Sequence, residues 1–267
     1  MTGTSALVLP LLLWSLGVVA APAEAPPDGP LTQAECLDCH AERDPALVAQ
    51  WRDGPHGGRA DCVACHGERH GLLPGARGDA ACTGCHGGEV AHSYESSKHG
   101  VIVGLERPAW ERPLQRGAYR APGCAYCHVH AADHGDTMAG ERGPSAREWV
   151  CGGCHAPRFV ADQFAAGDDL LAIGRLKEAE AVAVAARHPD GPAAVANLLA
   201  GLQRHLRNLR LGAGHQSPDY QWWHGQPALD ADLIRLRGAL AQEERRAALR
   251  AHDAEDAADP VQAVVKP

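Results

Sequence analysis

All ten cysteines of the chain fall in one repeated pentapeptide, C-x-x-C-H. It occurs as Cys36–His40, Cys62–His66, Cys82–His86, Cys124–His128 and Cys151–His155, reading CLDCH, CVACH, CTGCH, CAYCH and CGGCH. Any fold open to this chain must build five short turns, each presenting two thiols and an imidazole. The gaps between motifs are irregular, which excludes a solenoid of equal repeats.

Three other uses of paired cysteines fit less well. A disulfide framework places no demand on the residue after each pair. Zinc ribbons use C-x-x-C pairs, but five pairs do not divide into four-ligand sites. A thioredoxin-type redox pair is expected once or twice, beside a βαβ pattern. With 16 histidines in 267 residues, five chance placements come to about one in a million. Covalent c-type haem attachment accounts for the whole pattern. Two thiols three apart add to the two vinyl groups of one haem, and the next histidine becomes the proximal iron ligand. The expected cofactors are five covalently bound c-type haems on Cys36, Cys39, Cys62, Cys65, Cys82, Cys85, Cys124, Cys127, Cys151 and Cys154. The proximal ligands are His40, His66, His86, His128 and His155.

The composition agrees. There are only two Phe, two Met and four Tyr, too few large side chains for a conventional core in which each buried one contributes about 1.5–3 kcal/mol. Five macrocycles would supply the missing apolar bulk. The formal charge of −8, made more negative by haem propionates, favours basic patches on redox partners and gives no expectation of nucleic acid.

Eleven histidines lie outside the motifs. After removal of an export signal the only methionine is Met138, so thioether ligation, which raises haem potential, serves one iron at most. Mostly bis-histidine, low-potential haems are expected. The distal candidates are His56, His70, His99, His134, His215 and His224. His56 sits in the glycine-bracketed turn WRDGPHGG, and His99 reads as the end of a helical stretch before Gly100. His188, His205 and His252 lie in polar, Arg-rich helical contexts and read as surface residues.

Residues 1–23 read as a signal peptide: ALVLPLLLWSLGVVA is apolar, with small residues before Ala20 and Ala23, although MTGTS carries no basic residue. Residues 24–35 read as a flexible N-terminus, 36–160 as a pentahaem domain, 161–258 as a helical region and 259–267 as a tail. No later run is apolar enough to span a membrane, so an exported, periplasmic protein is expected. Three amphipathic helices are expected over 168–188, 192–212 and 227–256, with Pro192 near a start and Gly212 at an end. The fold class is mostly α: a haem-stacked multihaem cytochrome c with little β structure, then a C-terminal bundle of about three helices.

The stretches CTGCHGGEVAHSYESSKHGVI, APGCAYCHVHAADH, WVCGGCHAPRFVADQF and GHQSPDYQWWHG resemble the hydroxylamine oxidoreductase-like multihaem cytochromes c, over most of the mature chain. The resemblance implies closely stacked haems, long C-terminal helices that build an oligomer, and distal roles for His56 and His99, with His134 favoured over His130. Full-length members carry eight haems. On this resemblance the five motifs look like the first two and the last three, and the missing middle is where the catalytic haem is expected. Tyr220 matches the tyrosine cross-linked to that haem, and without it Tyr220 is expected to pack beside Trp222 and Trp223. Two functions follow. One is electron transfer to partner proteins such as other cytochromes or a quinol-linked complex. The other is a small oxidoreductase acting on hydroxylamine, nitrite or a related nitrogen compound at one open haem.

Overall fold

The computed structural model describes residues 29–70, 78–105, 121–138, 142–188 and 193–258. The expected signal peptide and the C-terminal tail lie outside these. The described residues form helices and turns, with no strand among them.

The first part of the chain is a series of short helices. They are α1 (Gln33–Arg43), α2 (Pro45–Asp53), α3 (Cys62–His66), α4 (Ala80–Thr83), α5 (Glu89–Glu95), α6 (Lys98–Leu105), α7 (Cys124–His128) and α8 (Arg142–Gly152). Local chemistry sets several boundaries. Thr32 and Glu35 form a capping box at the start of α1, and Asp44 accepts from the Leu47 amide just before Pro45 opens α2. Of these residues few apolar side chains are buried: Ala121, Ala146 and Val150. Among its described residues this half has no aliphatic core of its own.

The conventional core lies in the C-terminal half. Helices α9 (Pro157–Ala186), α10 (Ala193–Gly214) and α12 (Gln226–Ala258) pack against one another, with the short α11 (Pro218–His224) between the last two. Leu202, Leu209, Leu229 and Leu236 are fully buried at their centre. Gly174 lets α9 approach closely, since a Cβ there would lie 2.8 Å from a Leu206 methyl. Asp232 is buried among these helices and is satisfied by His205 Nδ1 at 2.6 Å and Arg235 at 3.0 Å, as a buried carboxylate requires. His205 is therefore a structural partner of a buried acid, and the surface role read from its Arg-rich surroundings does not hold.

Three local expectations change. α9 begins at Pro157, so the helix runs across the sequence boundary between residues 160 and 161. Gly212 does not end α10, which continues to Gly214. Gly212 instead makes room for α11, because a Cβ there would come within 3.1 Å of the Tyr220 ring and 2.8 Å of Gln221. His99 opens α6 instead of closing a helix. The break before it is made by Ser96, whose hydroxyl turns back to the His92 carbonyl, and by Ser97, which accepts from the Gly100 amide. A side chain at 100 would strike the Tyr94 carbonyl.

Candidate haem centres

Each motif occupies about one helical turn. α3 and α7 coincide with CVACH and CAYCH, while His86 and His155 each donate an amide bond back to the first cysteine of their motif, at 2.8 and 2.9 Å. On a helix, positions i, i+3 and i+4 share a face, so both thiols and the imidazole point the same way. None of the ten cysteines is paired in a disulfide, and no three His, Cys, Asp or Glu converge as for a metal ion among the described residues. The donor set fits a macrocycle gripped at its edge, with iron beneath one imidazole.

Electrostatic proximity orders the motifs. Burial, then the neighbouring Cys62, pushes the Cys36 thiol up. Cys65 is pushed up by burial and then by Cys82 and Cys85. Cys82 shares a thiol hydrogen bond with Cys124. Cys127 is pushed up to about 12, by burial first and then by Cys151. Each motif therefore neighbours the next, in chain order.

Four motif histidines face a second imidazole. Ring centroids are 6.2 Å apart for His40 and His70, 6.1 Å for His66 and His134, 6.0 Å for His86 and His56, and 6.0 Å for His155 and His99. A metal–imidazole bond is about 2.0 Å, and the ligating nitrogen lies about 1.1 Å from its ring centroid, so two imidazoles on opposite faces of one metal have centroids about 6.2 Å apart. The gaps match that span; van der Waals packing of bare rings does not demand it. His56 is held in its turn by Trp51, whose indole N–H donates to the Ala60 carbonyl at 2.9 Å. Phe159 stacks on His155 at 4.8 Å.

The fifth motif histidine, His128, lies near His215. Burial drives the His215 pKa down to about 4, with His128 as the second cause. Burial likewise lowers His66 and His99, followed by the effect of their neighbouring imidazoles. These environments favour the neutral ring, the form that ligates a metal. Hydrogen bonds also choose the tautomer. Ser93 Oγ donates to the Val90 carbonyl at 2.8 Å, so it can only accept from His215 Nδ1, 2.6 Å away. His134 Nδ1 donates to the Ala132 carbonyl at 2.8 Å. Both rings are left with a free Nε2 lone pair, the arrangement that outer hydrogen bonds give metal-ligating histidines.

His224 is placed differently from the other distal candidates. It stacks on Tyr220 at 4.7 Å and meets His92 edge-on at 5.1 Å. Tyr220 is buried, donates to Glu89, and touches His92 at 5.4 Å. Trp222 and Trp223 are exposed, so the expected Tyr–Trp packing is absent: two and three residues on, they point off the buried face of α11. His92 was not singled out by sequence, where nothing distinguishes it from a surface residue. His130 packs between Tyr126 and Trp149, its Nδ1 donating to the Tyr126 carbonyl at 2.7 Å.

Residues 39–138 match the protein family described as "Seven times multi-haem cytochrome CxxCH". This stretch is thus similar to multihaem cytochromes c. The fold as a whole is similar to that of a chain in the reducing HAO-like protein complex of Kuenenia stuttgartiensis, with a TM-score of 0.63 and 17% identity, covering 82% of this chain and 72% of that one. The family match takes in the whole of the motifs at Cys62–His66, Cys82–His86 and Cys124–His128. Among the described residues no helix is long and apolar enough to cross a membrane.

Proposed function

We propose that the chain is a five-haem c-type cytochrome that passes electrons along a single file of haems, each iron closed by two imidazoles. The ligand pairs are His40–His70, His66–His134, His86–His56, His128–His215 and His155–His99. The observation that carries the reading is the 6.0–6.2 Å gap between four of the pairs, the space an iron with two axial imidazoles needs. The haems supply one-electron chemistry when bound; the chain's own residues fix their order and hold neutral ligands in the right tautomer. Succession of the motifs in chain order makes each haem the neighbour of the next.

With every iron closed on both faces, no coordination site is left for a nitrogen compound, which sets electron transfer ahead of catalysis. The protein works in the periplasm, in keeping with its apolar N-terminal segment and with c-type haem attachment outside the cytoplasm. Its partners are other cytochromes or a quinol-linked complex, and the long C-terminal helices, with Leu176, Ile234 and Leu249 exposed, supply a surface for self-association. The test is electron paramagnetic resonance of the ferric holoprotein, with the haem number fixed by mass spectrometry. Five low-spin haems are expected. A single high-spin haem would overturn closure and bring the oxidoreductase reading forward.

A further inference from the structure

We infer that Asp136 is a positioning residue that sets the haem of the fourth motif apart from the other four, lowering its reduction potential. The inference rests on the ligation proposed above. Asp136 Oδ1 lies 3.0 Å from His128 Nδ1, and no other proximal or distal ligand histidine has a carboxylate on its ring nitrogen among the described residues. The other ligand rings with a defined partner donate to neutral oxygens: His134 to a backbone carbonyl and His215 to a serine hydroxyl. A hydrogen bond to an ionised acceptor is about twice as strong as one between neutral groups. It draws the Nδ1 proton away, gives the ring imidazolate character and raises its basicity toward iron. A more basic axial ligand stabilises the ferric state, so the haem takes up its one electron at a lower potential.

The contact is built into the fold. The Thr137 amide donates to the His128 carbonyl at 2.8 Å, and the Thr137 hydroxyl accepts from the His130 amide at 3.2 Å. Together they fasten the 136 turn to the end of α7. Asp136 Oδ1 also accepts from the Met138 amide at 3.1 Å. Asp136 has a φ of 58°, a left-handed conformation that Asp and Asn adopt more readily than other side chains. D136N therefore keeps the turn and an acceptor oxygen while removing the charge.

The experiment is an optical redox titration of the ferric holoprotein, wild type against D136N, D136E and the nearby control D133N, each checked by electron paramagnetic resonance. In D136N one of the five midpoint potentials should rise by about 59 mV or more, a tenfold change in its one-electron equilibrium, with all haems still low-spin. D136E should recover part of the shift, and D133N should give no such single-haem change. If no potential moves in D136N, or D133N reproduces the effect, Asp136 has no special role although the ligation stands. If D136N does not retain haem, D136E is decisive, and an unshifted haem there overturns the inference. If the wild type already contains a high-spin haem that H215A leaves unchanged, the His128–His215 ligation falls and this inference with it.

Discussion

His99→Ala gives the sharpest test of the proposed ligation, paired with His224→Ala. Both histidines are distal candidates by sequence, and the fold separates them. His99 faces His155 with centroids 6.0 Å apart and planes inclined by 40°; His224 is spent on Tyr220 and His92. Removing the His99 ring opens one face of one iron. Five motifs mean that one-fifth of the haem should pass from low-spin to high-spin in the ferric spectrum, a change read by integrating the paramagnetic resonance signals against total haem. His224→Ala should leave the distribution untouched. The vacated space has the dimensions of an imidazole, so millimolar imidazole should restore the low-spin fraction in His99→Ala. An unchanged spectrum in His99→Ala, or a one-fifth conversion in His224→Ala, would refute the reasoning from ring separation.

Other expectations concern the scaffold. Leu202→Ala or Leu236→Ala, each emptying a fully buried site, should cost about 2–5 kcal/mol in equilibrium denaturation followed by circular dichroism. Asp232→Ala leaves His205 and Arg235 without their acceptor and should cost about 1–3 kcal/mol by the same assay. Gly212→Ala should destabilise by about 1–3 kcal/mol through its clash with α11, whereas Gly238→Ala, with nothing within 4 Å of its Cβ, should stabilise α12 by about 1 kcal/mol. Equal effects of the two glycine substitutions would show that α11 does not press on α10.

The parts legible from sequence are those with a local cause. Five CxxCH units dictate their own one-turn geometry, and the apolar periodicity of the last hundred residues suffices to place three long helices. What escaped the sequence is set by contacts between distant segments. Gly212 carries the signal of a helix end, but the approach of Tyr220 and Gln221 gives it a different task. The Arg-rich neighbourhood of His205 suggests solvent, and only folding brings Asp232 beside it. The histidines that lie opposite a motif imidazole are among the sequence candidates, but their pairing is not legible there, because His66 meets His134, from beyond the fourth motif, with no local pattern joining them. Tyr220 was misplaced for a similar reason: its partner Glu89 comes from a remote helix.

The ring pairs also bear on how the molecule is put together. Under the proposed ligation each iron fastens two stretches of chain far apart along the sequence, so the five haems act as cross-links and the polypeptide is a network rather than a string. Export and haem attachment proceed from the N-terminus, which means that a haem fixed at the second motif waits for His134 and one fixed at the fourth waits for His215, which follows the whole of α9 and α10. The helical half is thus the closing strap of the haem half. A chain cut short just before His215 would emerge with four of its irons ligated and only that of the fourth motif open to solvent.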